Sequence, residues 1–199
     1  MLKELFDLVR GNAQAIVVEN PEVPNEYNNE VVAEATNTVA SGMRNMVAGG
    51  GLESLLSLFK GGNTGKKGLL QNPIVNMMMG HFASKLMNKF NMNNSQANNL
   101  SGSLIPNVLS NLINKTNDPS DSNFSLENLI GSITGNKSRV SDNGNGGGIG
   151  DLLNRFTGGG GNNSGGGGML DIIKQFAGGA QEQQKKNGNL MDLIKGFMN

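Results

Sequence analysis

Histidine is the residue type with the widest catalytic use, and this chain has one, His81. Nucleophilic hydrolysis built on it would need a serine in a G-x-S-x-G turn, and the sequence contains no such turn. A zinc-binding helix would need a second histidine four residues on, where Lys85 stands. We therefore interpret His81 as a helix residue at the edge of the core, and we predict no catalytic residue and no metal site.

Residues 61–67 are similar in composition to a phosphate-binding loop but lack its spacing. The pattern needs a glycine at position 60, where Lys60 stands, and a serine or threonine at position 67, where Lys67 stands. The segment also follows a predicted helix, whereas a phosphate loop follows a strand. We therefore predict a flexible, solvated linker over residues 61–68 and no cofactor.

The segment Asn117–Glu127 is rich in oxygen ligands of the kind that calcium binds. Counted from Asp118, however, Leu129 falls where the loop needs a bidentate glutamate, and Asn123 replaces the turn glycine. The spacing indicates a turn followed by a helix that Ser125 caps, and no calcium site.

Three consecutive methionines, Met77–Met79, fit two uses. Exposed methionines make surfaces that adapt to several partners, whereas methionines at helical spacing are more often core filler, which is the interpretation that we favour. No pair of carboxylates recurs at a spacing suited to acid–base catalysis. The sequence therefore predicts a protein that is not an enzyme, and it identifies no small-molecule substrate.

Charge and composition limit the partners. Sixteen basic and sixteen acidic residues give no net charge, which argues against nucleic acid, whose phosphates attract basic proteins. Cysteine is absent, so disulfides and thiolate metal sites are excluded. No apolar run approaches the ~18 residues of a membrane span, and Glu4 and Asp7 interrupt the apolar core that a signal peptide would need. We therefore expect a cytoplasmic protein.

A short apolar pattern returns six times and organises the chain. Each copy has apolar residues at its first position and at +3, +4 and +7, which form one stripe of an α-helix. Five copies have a glycine at +9, which we interpret as a C-terminal stop. The copies begin at Leu2, Leu52, Leu126, Ile149, Met169 and Leu190.

The copies fall into two regions that meet near residue 135. Before that point the apolar periodicity is regular, and we predict a helical domain over residues 1–135. Apolar alternation typical of strands is nearly absent. The predicted fold class is therefore all-α, an irregular helical bundle followed by a Gly/Asn-rich tail. This flexible tail, residues 136–199, carries three short amphipathic helices, at 149–157, 169–177 and 189–198.

Local signals predict where the helices of the domain begin and break. Residues 2–19 are expected to form one helix. Asn72, followed by proline, is expected to cap a long helix, and Ser95 to cap the next one. Pro106 is expected to kink or split that next helix, because proline lacks the backbone N–H that continues the hydrogen-bond ladder.

Five segments of the domain form a recognisable set: Asn72–Asn76, Gly80–Met87, Ser103–Pro106, Lys115–Pro119 and Phe124–Gly135. Together they resemble the YidB-like family of small all-helical bacterial domains of unknown function. The resemblance covers about residues 1–135, implies a helical bundle of bacterial origin, and supplies no catalytic or binding residues. The three copies on glycine spacers depart from what the family leads us to expect.

The tail copies indicate an interaction protein. Each spans about eight residues, below the ~12–15 at which an isolated helix becomes marginal in water, so each needs a surface to lie on. We therefore predict a non-enzymatic helical interaction or self-association protein, whose tail helices dock in an apolar groove of the same or a neighbouring subunit. Its partner is expected to be itself or another protein. The side chains expected to dock are Ile149, Leu152, Leu153, Phe156, Met169, Ile172, Ile173, Phe176, Leu190, Leu193, Ile194 and Phe197.

The alternative is a peripheral membrane-surface protein, with each amphipathic copy lying in the lipid interface. Zero net charge and the absence of tryptophan disfavour this alternative. A membrane surface is therefore retained only as a disfavoured partner. A third hypothesis is a disordered tail whose apolar copies arose by low-complexity drift and have no docking role.

Overall fold

The apolar stripes of the sequence fold into helices in the computed structural model of the protein. The structure describes residues 2–21, 23–60, 65–118, 120–121, 124–134, 166–186 and 190–198. These residues contain α-helices and no strand, which confirms the predicted all-α class. The helices are α1 (Leu2–Ala13), α2 (Asn28–Ala48), α3 (Leu52–Lys60), α4 (Lys66–Leu70), α5 (Pro73–Phe90), α6 (Asn94–Thr116), α7 (Leu126–Thr134), α8 (Gly166–Lys186) and α9 (Leu190–Lys195).

Helix α2 lies at the centre of the bundle because it is apolar or small on almost every side. Thirteen of its 21 residues are buried, and it contacts α1, α3, α5, α6, α7, α8 and α9. Gly42 permits the close approach of α5, since a Cβ at that position would lie 2.8 Å from the Cε atom of Met78. The other helices are therefore arranged around α2.

Helix α1 buries the first apolar copy. Leu5, Phe6 and Val9 are all within the core. The helical backbone continues beyond α1 as a five-residue π-helix, Gln14–Val18, so the predicted span of residues 2–19 is helical but not α-helical throughout. A 3-10 turn, Asn25–Tyr27, then leads into α2.

The starts of α5 and α6 are set by asparagine caps. The Asn72 side chain accepts a hydrogen bond from the Ile74 backbone N–H at 2.9 Å, which confirms the predicted start of α5. At the start of α6, the Asn93 side chain accepts from the Gln96 N–H at 2.9 Å, and the Gln96 side chain accepts from the Asn93 N–H at 3.0 Å. This reciprocal pair satisfies two backbone donors, so the prediction that Ser95 is the cap is wrong.

Pro106 lies inside α6, which runs through it as one helix. The prediction that α6 would be split is therefore wrong. A proline in a helix interior costs about 3 kcal/mol, but a fully buried aliphatic side chain contributes about 1.5–3 kcal/mol. Leu104, Ile105 and Val108 flank the proline and are all inaccessible to solvent, so packing outweighs the local penalty.

The second and third apolar copies form α3 and α7, as predicted. In α3 the four apolar residues of the stripe are buried; in α7 Leu126, Leu129 and Ile130 are buried and Ile133 is half-buried. The linker prediction over residues 61–68 is wrong in part, because α4 begins at Lys66 and buries Leu69.

The C-terminal helices α8 and α9 correspond to the last two apolar copies. Helix α8 is much longer than the predicted 169–177, because it starts at Gly166 and continues past Gly178 to Lys186. The interpretation of that glycine as a helix stop is therefore wrong. The predicted helix at 149–157 lies outside the described residues. Among the helices that the structure describes, none has the length and apolar character to cross a membrane.

Candidate docking site of the C-terminal helices

The side chains with catalytic potential lie apart from one another. His81 is exposed on α5, farther from the core than we expected. Across the described ranges, no three His, Asp or Glu side chains come close enough to hold a metal ion. The methionines divide: Met78 is buried in the core, whereas Met77 is 55% exposed. Core packing therefore accounts for Met78, and only Met77 offers an open apolar surface.

The acidic segment after α6 forms a local turn, as predicted. The Asp118 carboxylate accepts hydrogen bonds from the Ser120 hydroxyl at 2.6 Å and from its backbone N–H at 2.9 Å, and these bonds lower the pKa of Asp118. Asp121 pairs with Lys115 at 3.1 Å. The Ser125 hydroxyl accepts from the Asn128 N–H at 3.1 Å, which confirms Ser125 as the cap of α7.

Helix α8 lies against α2 and α7. Among the side chains of α8 that the structure describes, the apolar Phe176 and Ala180 are buried. Two glutamines add polar contacts at the end of α2: the Gln181 side chain donates to the Ala48 carbonyl at 3.1 Å, and the Gln184 side chain donates to the Asn45 side chain at 2.5 Å. The Ala48 carbonyl is one of the last four of α2, which have no partner within the helix. Gln181 therefore satisfies a group that the helix itself leaves open.

Helix α9 lies against α2 and α1. Ile194 is inaccessible to solvent, and the Phe197 ring, just beyond the helix, lies 6.2 Å from the Phe6 ring of α1 in a tilted arrangement. Leu193 is 53% exposed. Only part of the predicted stripe therefore faces the bundle.

The predicted docking residues thus have different positions. Phe176 and Ile194 are buried, Leu190 and Phe197 are half-buried, and Leu193 is exposed. The others lie outside the residues or side chains that the structure describes: Ile149, Leu152, Leu153, Phe156, Met169, Ile172 and Ile173.

A cavity of about 280 Å³ lies where α9 meets α1, α2, α7 and α8; we call it the α9 cavity. Three of the described residues that line it are polar: Arg44, Ser132 and Gln183. The other described lining residues are apolar: Leu2, Leu5, Ala40, Leu129, Ile133, Leu190 and Leu193. As far as its wall is described, the cavity is therefore a small apolar space with one cationic side chain.

Arg44 is the least expected member of this wall. It is 8% exposed, and its Nε atom has no hydrogen-bond partner among the described residues. Burial disfavours the charged form and lowers the pKa of Arg44. The effective penalty for a buried charge is several kcal/mol when nothing compensates it. One signal in the sequence could have located Arg44. It lies four residues after Ala40 and four residues before Ala48, and therefore on the same, buried face of α2.

A second buried charge on α2 is paired. Glu34 is 1% exposed, and its carboxylate lies 3.0 Å from the Lys85 ammonium and 2.5 Å from the Lys89 ammonium, both on α5. Burial alone would raise the pKa of Glu34, but the hydrogen bonds and charges of Lys89 and Lys85 hold it below its usual value. This cluster joins α2 to α5, and no apolar periodicity could have revealed it.

No family model, curated protein or solved structure matches this chain. The resemblance to YidB-like domains therefore stays a prediction from the sequence.

Proposed function

We propose that this is a non-enzymatic, self-associating helical protein whose helices α8 and α9 dock on α2 either in their own chain or, by exchange, in a second copy. The observation that carries the proposal is the contact of Phe176, Ala180 and Ile194 with the bundle. The same side chains would make the same contacts across two copies, because exchange of an identical element preserves its interface.

The small size of α9 favours exchange. Its six residues are well below the ~12–15 at which an isolated helix becomes marginal. Helix α9 therefore depends for its conformation on contacts with the bundle, made by the buried Ile194 and by half-buried side chains such as Leu190 and Phe197. A short segment that is helical only when docked can leave its site without unfolding the rest of the bundle.

The connection to the bundle is long enough for exchange. Residues 135–165 separate α7 from α8 in the sequence, and about 30 residues span ~100 Å when extended. A tethered segment meets its own groove at an effective concentration of the order of mM. Docking within one chain should therefore dominate in dilute solution, and exchange should become appreciable as the protein approaches mM concentrations.

The test uses thiol–thiol cross-linking, because the chain has no native cysteine. Asn45→Cys and Gln184→Cys alter two side chains that touch across the α2–α8 contact. A chain that carries both changes should cross-link internally. A mixture of two tagged single variants should give a covalent heterodimer whose yield rises with protein concentration.

The matched control replaces Asn45→Cys with Asn99→Cys, an exposed position on α6. If the Gln184→Cys copies cross-link no better to Asn45→Cys than to Asn99→Cys at about 1 mM, exchange does not occur and the proposal fails.

A further inference from the structure

Arg44 has an incomplete set of partners. Its side chain lines the α9 cavity, is more than nine-tenths buried, and has an Nε atom without a hydrogen-bond partner among the described residues. A buried cation is stable when an anion and hydrogen-bond acceptors replace the water that it has lost. An anion that enters the cavity from outside would supply both.

Glu34, a buried acidic residue on the same helix as Arg44, already has ion-pair partners. Glu34 lies ten residues before Arg44, about 15 Å along the axis at ~1.5 Å per residue, and it pairs with Lys85 and Lys89. No ion pair to Arg44 occurs within the described part of the chain. Ser132 and Gln183, the other polar residues of the wall, carry no charge. Within the described residues, the cation of the cavity therefore has no compensating charge.

The apolar residues of the cavity wall determine which chemical group the ligand must carry in addition to its anionic group. Of the ten lining residues that the structure describes, seven are leucine, isoleucine or alanine, and apolar surface of this kind is best covered by an apolar chain. The single cation matches a single negative charge, because a dianion such as a phosphate monoester would bring in one charge without a partner. A guanidinium also presents paired N–H donors in the geometry that a carboxylate accepts.

We propose that the α9 cavity binds a small amphipathic carboxylate, a monocarboxylic acid with an unbranched apolar chain. Its carboxylate pairs with Arg44, and its chain lies among Leu5, Leu129 and Leu190. At ~30 Å³ for each water-sized group, the 280 Å³ of the cavity holds about nine such groups, which is the number of CH2 and CH3 groups in a ten-carbon acid whose carboxylate lies against Arg44. A longer chain would displace Leu190 and Leu193, and with them α9.

The first test compares ligands on the full, unchanged chain by isothermal calorimetry and by thermal shift. Decanoate is expected to bind and to raise Tm. Decanol should bind at least about tenfold more weakly, the loss expected when a charge-assisted hydrogen bond is missing. Decylamine should not bind. Absence of decanoate binding up to about 1 mM, or equal binding of decanol, overturns the proposal, as does tighter binding of octyl phosphate.

The second test removes the charge. Arg44→Met keeps most of the side-chain volume, so we expect a ligand-free Tm equal to or above that of the unchanged chain, because an unpaired buried charge has gone. Decanoate binding should weaken at least about tenfold, and the preference for acid over alcohol should disappear. Arg10→Met, at an exposed arginine on α1, is the matched control and should bind as the unchanged chain does.

A folded Arg44→Met chain that still prefers decanoate to decanol overturns the assignment of Arg44. If that variant does not fold, the comparison of acid, alcohol and amine on the unchanged chain decides the matter. The outcome is also independent of helix exchange, since the cross-linking experiment needs no ligand.

Discussion

At the scale of single residues, Glu34 is a carboxylate held in the interior by two lysines that keep access to water. Lys85 and Lys89 have side chains that are 30% and 46% exposed, against 1% for Glu34. Removing Glu34 would leave cations that can rehydrate, whereas removing both lysines would leave a buried, unpaired carboxylate. The second change is the more damaging one.

We expect Glu34→Gln to lower the free energy of unfolding by about 1–3 kcal/mol near neutral pH. The folded pKa of Glu34 lies below the ordinary value of 4.5, so its ionised form stabilises the fold above that pH, and the contribution is lost as the pH falls through the folded pKa. Denaturant unfolding across this range should show the variant and the unchanged chain converging in acid. An equal difference at every pH would contradict the pairing.

The exposed Glu53→Gln on α3 is the matched control for this prediction. Its effect should stay within about ±0.5 kcal/mol, as for most surface substitutions.

At the scale of helices, α8 shows that a glycine does not end a helix when contacts beyond it favour the helical backbone. Ala180 is inaccessible to solvent, and Gln181 donates to the Ala48 carbonyl. Both contacts lie past Gly178, and both require that the helix continue. A glycine in a helix interior costs about 1 kcal/mol relative to alanine, which contacts of this kind can offset.

Gly178→Ala should therefore stabilise the docked α8 by about 0.5–1 kcal/mol. A Cβ at Gly178 would meet no atom within 4 Å, so the gain in helix propensity has no steric cost. Hydrogen exchange of the α8 amides measures the effect. Faster exchange would mean that the helix ends at Gly178 after all.

Gly50→Ala is the contrasting control. Gly50 has φ of 83°, a conformation that strains a residue with a side chain, so alanine should destabilise the fold there.

Features that depend on neighbouring residues could be predicted from the sequence. Features that depend on contacts between helices distant in sequence could not. Asn72 caps α5 through a bond that spans two residues, so the local sequence sufficed. Pro106 and Gly178 stay helical because of packing by other helices, which no local rule contains. The stripes identified Phe176 and Ile194, which the structure buries. Arg44 was missed because its importance depends on a cavity that several helices form together.

At the scale of the whole molecule, α2 receives helices from both ends of the chain. Helix α1 precedes it directly, whereas α8 and α9 reach it from beyond residue 165. Helix α9 has six residues, too few for a helix that is stable by itself, so it should open more readily than the bundle that it covers.

Ile194→Asp tests that order of stability. A charge at this fully buried position should release α9, because a buried, unpaired carboxylate is strongly disfavoured. Hydrogen exchange in residues 190–197 should rise toward that of an unfolded segment, while α5 and α6 stay protected. Loss of protection throughout the bundle would show instead that α9 is part of one cooperative core.

Leu193→Asp is the matched control, since the neighbouring side chain lines the α9 cavity but is 53% exposed. A carboxylate there can reach water, so the exchange of residues 190–197 should rise much less than in Ile194→Asp.

The hydrogen bond from Gln181 to the Ala48 carbonyl joins two segments that are synthesised at different times. The two residues are 133 positions apart, and a ribosome adds about 5–20 residues per second. The face of α2 that α8 and α9 cover is therefore made about 7–27 s before the segments that cover it. Throughout that interval each nascent chain carries this face of α2 without the C-terminal helices that cover it in the finished protein.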